Sequence, residues 1–231
     1  MTIRGTAAGV PYVASPPRAG RRLVLVWHLM GEPGSPEAMA EALPLDGVDA
    51  WRVYLALPPW REGGDGLVDA YAPMVSGAVE RVPSVVAELR GSLSCDDGPV
   101  DVVGGSAGGH VALLTAVSGA VAVRRVAVVN PAVTAQAVVE ASLGVHLDSY
   151  EWTPEALAAA GPLDVVARAR ALTVPLLVVR GEHEYPAFRA AQAVLHAAVP
   201  GSRLVDVPGL PHMLVSSLDV VEAEVTAWLN D

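Results

Sequence analysis

The sequence predicts a three-layer α/β domain, with helices on both faces of a mostly parallel central sheet. Three observations predict it. Short Val- and Leu-rich runs without polar alternation recur along the chain, as parallel strands covered on both faces require. Stretches with apolar residues at three- and four-residue steps lie between them. The composition supplies one sizeable core: 231 residues, 52% hydrophobic and 17% charged. A chain of that length buries roughly 70–75% of its unfolded surface, and such a composition excludes intrinsic disorder.

The strands are expected, in order, at Arg22–Trp27, Val53–Leu57, Pro99–Gly104, Arg125–Asn130, Val174–Arg180 and Arg203–Val207. Pro58 and Pro59 stop the second of them. Helix signals fill the gaps. Ser35-Pro36-Glu37 offers an N-cap, a first-position proline and a first-turn acid. Met74–Arg90 places Val75, Val79, Val82, Val86 and Leu89 on one face, with Pro83 expected to kink or break it. Pro186–Val199 repeats the spacing through Phe188, Ala191, Leu195 and Ala198. The last stretch carries Leu214, Leu218, Val221, Val225 and Leu229. This β-α alternation gives the layer order. Residues 131–173 break it, with a helix start at Thr153-Pro154-Glu155 and a stop at Gly161-Pro162. They are expected to form a short helical insertion, a small or open lid above the strand ends, within a single domain over 1–231.

Charge and composition exclude several function classes. The net charge of −10 repels phosphate backbones, so no nucleic-acid partner is expected. No apolar run is long enough for a membrane span. The first 20 residues lack the apolar core of a secretory signal, which points to a cytoplasmic location. All 15 basic residues are arginine, a compositional bias. The one cysteine, Cys95, excludes an intramolecular disulfide and a cysteine-built metal site. It lies in a polar turn with no evident base beside it.

The sharpest local signal is Gly104-Gly105-Ser106-Ala107-Gly108, between the strand VDVV and the apolar helix VALLTAV. A serine at a sharp strand-to-helix turn sits in a strained backbone conformation, and glycines two residues to either side remove the clash. The turn exposes the hydroxyl at the carboxyl end of the sheet, where the helix aims its N–H groups. No phosphate-loop glycine pattern is present. A serine hydroxyl needs a base, and the base an orienting acid. His212, in Pro208-Gly209-Leu210-Pro211-His212 between the last strand and the last helix, is the candidate base. The acid is expected just beyond VPLLVV, in Arg180-Gly181-Glu182-His183-Glu184-Tyr185-Pro186. Glu184 is the first choice and Glu182 the alternative. His183 between them does not complete a known ligand spacing, so no metal is expected.

An oxyanion site needs two N–H donors near the serine. Ala107 supplies one candidate; Met30 or Leu29, in the loop after the first strand, supplies the other. His28 is expected to support that loop, and His110 to point into packing beneath the turn. Trp60, Tyr185 and Trp152 are candidate substrate contacts, with Tyr71 and Tyr150 further possibilities.

The segments VWHLMGEPGS, ALPPW, VDVVGGSAGGH, VPLLVVRGEHE and PGLPHML resemble those of the serine α/β-hydrolases, esterase- and lipase-like, over essentially the full chain. The resemblance implies the α/β-hydrolase fold, with eight or slightly fewer strands, and a triad of Ser106, Glu184 and His212. Two departures stand out: the usual His-Gly pair reads His28-Leu29, and the acid is glutamate where aspartate is usual. The implied reaction is hydrolysis of a small-molecule ester or other acyl substrate, with no cofactor. Peptidase, amidase and thioesterase chemistry use the same triad. A non-catalytic binding protein on the same scaffold is the competing class.

Overall fold

The computed structural model describes residues 2–231. Its eight strands form one sheet in the order β1-β2-β4-β3-β5-β6-β7-β8. They are β1 (Ile3–Ala7), β2 (Val10–Ser15), β3 (Leu23–Trp27), β4 (Trp51–Leu55), β5 (Val100–Gly105), β6 (Val123–Val129), β7 (Leu176–His183) and β8 (Arg203–Pro211). Only β2 runs antiparallel to its neighbours. The six expected strands are present, with ends shifted by at most four residues. The N-terminal hairpin β1–β2 carries no strong sequence signal, because glycine and proline interrupt it and its faces are mixed. It is closed by Ala8 and Gly9, both at positive φ, the conformation that two-residue hairpins require.

Seven α-helices cover the sheet: α1 (Pro36–Ala42), α2 (Ala72–Leu93), α3 (Ser106–Ser118), α4 (Ala135–Ser142), α5 (Pro154–Ala160), α6 (Pro186–Ala198) and α7 (Leu218–Asn230). The predicted caps of α1 and α5 are made: Ser35 Oγ accepts from Ala38 N and Thr153 Oγ1 from Ala156 N, each at 3.1 Å. Two apolar clusters line the two faces of the sheet. One packs α2, α3, α4 and α6 against strand residues such as Leu25, Val102 and Val128. The other packs α1 and α7 against Val24, Val103 and Val129. Successive strand side chains point to opposite faces, and both faces are buried.

Pro83 does not break its helix: α2 runs unbroken through it from Ala72 to Leu93. Val75, Ala78, Val82, Val85, Val86 and Leu89 are buried on both sides of the proline. Burial of that stripe, at up to roughly 1.5–3 kcal/mol per large side chain, outweighs one lost hydrogen bond. The helix is preceded by a π-helical turn, Gly66–Tyr71, capped by the Asp65 carboxylate on Leu67 N and Val68 N. The same carboxylate accepts from Tyr150 Oη at 2.9 Å, tying the segment after α4 to this turn.

A buried ion-pair cluster lies at the opposite end of the sheet from the β5–α3 turn. Asp101, near the start of β5, is buried and held by Arg124 at 2.8 Å and Arg22 at 3.0 Å. Those partners satisfy an anion that burial would otherwise make costly.

His110 on α3 lies fully buried below the turn. Its Nδ1 accepts from Tyr71 Oη at 2.8 Å, and its Nε2–H donates to the Leu163 carbonyl at 2.7 Å. Burial pushes its pKa down to about 4. The unfolded chain, with an imidazole of ordinary pKa about 6.5, therefore binds the extra proton first as pH falls. Stability present above pH 6.5 is lost as pH drops towards 4, by on the order of 3 kcal/mol. Urea midpoints at pH 7.5 and 4.5 test this: the advantage of wild type over His110→Gln should shrink on acidification. A constant advantage would contradict it.

Candidate active site

The β5–α3 turn is built from glycines for steric reasons visible in the contacts. A Cβ on Gly104 would collide with the Gly108 carbonyl. One on Gly108 would collide with the carbonyls of Trp27 and His28 at the end of β3. Ser106 itself has φ +48°, a left-handed conformation uncommon for serine. The backbone thus turns within one residue from a buried strand into a helix whose first N–H groups lack intrahelical partners.

His212 reaches this serine from the loop after β8. Its Nε2 lies 2.9 Å from Ser106 Oγ, and its Nδ1 lies 2.7 Å from Glu184 Oε1. The bond to the carboxylate requires Nδ1 to carry a proton, which leaves Nε2 free to accept the serine proton. Glu184 also accepts from Tyr185 N at 2.6 Å through the same oxygen. All three side chains are nearly buried, with Ser106 and His212 each 8% exposed and Glu184 4%. The series can carry a proton from hydroxyl to imidazole and stabilise the imidazolium formed.

Glu182, the other candidate acid, is exposed and caps Gly209 N at 2.9 Å. It does not contact His212: the β7 register breaks between Gly181 and His183, and the chain turns at Glu184, whose N–H donates back to the Gly181 carbonyl, so the two glutamates do not share the face that regular alternation would give them. His183 is likewise exposed. Burial raises the Cys95 thiol to about 11, which keeps it protonated and inert at neutral pH.

The loop after β3 corrects one expectation. Leu29 N already donates to the Pro33 carbonyl at 3.0 Å, so Leu29 has no backbone donor to offer. Met30 N and Ala107 N meet no acceptor among the described residues. His28 braces the loop as expected: Nδ1 bonds the Leu29 carbonyl and Nε2 accepts from Leu57 N at 3.1 Å. Burial lowers its pKa, which keeps it neutral in that role.

One cavity opens at the serine and a second adjoins it. The first, about 270 Å³, is lined by Ser106 and His212 together with Met30, Tyr185, Phe188 and Met213. The second, about 240 Å³, is lined by Trp60, Leu67, Tyr71 and Tyr150. They share Met30, Val138, Ser142 and His146. Neither wall contains Asp, Glu or Arg. Tyr185 and Phe188 pack at tilted angles against the His212 ring, at centroid distances of 4.8 and 5.1 Å. Trp152, expected at the site, lines a different cavity beside α5 with Leu157 and Asp164. Its ring is turned there by an edge-on contact with Tyr150 at 5.1 Å.

Gln192 on α6 was not among the expected site residues; its position belongs to an amphipathic face. It is fully buried, and its Nε2 donates to the Pro131 carbonyl at 3.0 Å and approaches Glu184 Oε2 at 3.5 Å. A polar residue in the buried stripe of a helix was the one available clue.

No protein-family model matches the sequence, and no curated protein matches it; solved structures do. The chain has the α/β-hydrolase fold. TT1662 from Thermus thermophilus aligns with a TM-score of 0.74 at 22% identity, covering 100% of this chain and 98% of that one. A hormone-sensitive lipase from a metagenome library aligns with a TM-score of 0.70 at 17% identity, over 99% and 83% of the two chains. The enol-lactonase from Burkholderia xenovorans aligns with a TM-score of 0.65 at 18% identity, over 99% and 100%. No helix among the described residues is long and apolar enough to cross a membrane.

Proposed function

We propose that this protein is a serine hydrolase that cleaves carboxylic esters through an acyl-enzyme on Ser106. The hydrogen-bonded series Ser106–His212–Glu184 carries the reading, because no structural need calls for a strained serine beneath a buried imidazole–carboxylate pair. The lipase and enol-lactonase among the fold's neighbours are both named for ester chemistry, which supports the same reaction class here.

As Ser106 Oγ attacks the ester carbonyl carbon, its proton passes to His212 Nε2. The carbonyl electron pair moves onto oxygen, where Ala107 N–H and Met30 N–H receive the charge. Collapse of the tetrahedral intermediate breaks the carbon–oxygen bond, and His212 delivers the proton to the departing alcohol. Water then repeats the sequence against the acyl-enzyme, returning the proton to Ser106. Residues 131–173 act as the lid, since α4 supplies Val138 and Ser142 to both cavities.

The uncharged walls favour a neutral, apolar substrate. A cavity of 240 Å³ corresponds to about eight waters' share of liquid volume, room for a short hydrocarbon chain. Met30 and Trp60 stand exposed on its rim, 44–46% accessible, offering an apolar approach.

A fluorophosphonate probe tests the central step: it should label Ser106, identified by peptide mass spectrometry. Across p-nitrophenyl esters, kcat/KM should rise from acetate to hexanoate, by at most about fourfold per methylene. Leu67→Trp should flatten that rise by filling the second cavity. An unlabelled Ser106 in folded protein overturns the hydrolase reading, and a flat profile in wild type overturns the assignment of the cavity.

A further inference from the structure

The sheet holds the acid loop and the histidine loop together through an irregular ladder. The β7–β8 ladder is regular up to Gly181 opposite Val207, then resumes with His183 opposite Pro211. One residue on β7 therefore faces three on β8 where both loops leave the sheet. Regular pairing is lost at 182 and 208–210, just before the His183–Pro211 pair that adjoins Glu184 and His212.

Asn130, the residue after β6, occupies that gap. It is fully buried and has φ +46°, in the left-handed region that asparagine tolerates better than most residues. Its own N–H continues the sheet by donating to the Val179 carbonyl at 2.8 Å. Its side chain then reaches across β7. Oδ1 accepts from Gly181 N at 2.6 Å, while Nδ2 donates to the carbonyls of Pro211 at 2.8 Å and His212 at 3.1 Å. Gly181 in turn accepts from Glu184 N at 3.3 Å. A Cβ on Gly181 would strike the Leu210 carbonyl, so the histidine loop crosses directly over this glycine.

One amide thus ties Gly181 on β7 to the carbonyls of Pro211 and His212, where the histidine loop begins. The chemistry is specific to an amide: an acceptor for one N–H and donors for two carbonyls, on a side chain short enough to stay beside its own strand. We propose that Asn130 is a positioning residue that sets the His212–Glu184 separation, and through it the approach of Nε2 to Ser106. It touches neither substrate nor the reacting atoms. The inference rests on the hydrolase reading above.

Two variants test it. Asn130→Gly keeps the left-handed backbone free of strain and removes the clamp. Asn130→Asp keeps the shape but sets a carboxylate oxygen against two carbonyls. The readouts are kcat and KM on p-nitrophenyl butyrate and the rate of fluorophosphonate labelling at Ser106, in protein that melts cooperatively. A clamp that slips by about an ångström predicts a kcat loss of on the order of 100-fold, with KM little changed and labelling slowed in parallel. A purely structural role would lower the melting temperature and leave kcat of the folded fraction intact, and that result overturns the proposal. Failure of both variants to fold also overturns it, since Asn130 would then be needed for the fold itself. If wild type neither labels nor turns over ester, the hydrolase reading falls first, an outcome distinct from a normal wild type with an unaffected variant.

Discussion

Ser106→Ala is expected to abolish ester turnover, lowering kcat by about 10⁶-fold, the scale at which nucleophile removal leaves only the oxyanion site and binding. The substitution deletes one oxygen and its bond to His212 Nε2. Alanine is no less strained than serine at φ +48°, so cooperative unfolding should persist. Ser106→Gly adds a second, opposite signature. Glycine adopts that conformation freely, so relief of strain should raise stability by about 1 kcal/mol while activity disappears. Together the two variants separate the chemistry of the hydroxyl from the geometry of the turn. Measured turnover of p-nitrophenyl butyrate by Ser106→Ala at a wild-type rate would refute the nucleophile.

Glu184→Ala should cost about 10⁴ in kcat, the magnitude seen when a triad acid alone is removed. Without the carboxylate, nothing fixes the proton on His212 Nδ1 or balances the imidazolium. Glu182→Ala supplies the control. Its carboxylate caps a loop amide at Gly209 and does not touch the imidazole, so kcat should stay within a few-fold of wild type. Reversed effects in the two variants would move the acid to position 182. Conventional kinetics at saturating substrate decide the matter.

The two glutamates also show where sequence reading reached its limit. Both lie in one short loop and both are plausible acids by position. Burial and direction separate them, and those depend on how β7 ends. The same holds for the oxyanion loop. Leu29 and Met30 are equivalent in sequence, and only the turn back to Pro33 consumes the Leu29 N–H. Trp152 shows the reverse: an aromatic within the insertion was expected at the site from its loop position above the strand ends, and it packs edge-on against Tyr150 and lines a different cavity. Asn130 and Gln192 gave no usable signal, because one ends a strand and the other interrupts an apolar helical face. What they do depends on residues 51–82 and 61 positions away.

The order of strands and helices along the chain, the glycine-flanked serine turn and the general places of the candidate base and acid followed from the sequence. Each depends on interactions within a few residues: side-chain periodicity, capping, and steric exclusion at a tight turn. The N-terminal hairpin, the unbroken passage through Pro83, the choice between paired candidates and the clamp at Asn130 were decided by tertiary structure. These depend on contacts between chain segments far apart in sequence, where burial of an entire face outweighs a local preference and a single carbonyl or amide determines which neighbour is satisfied.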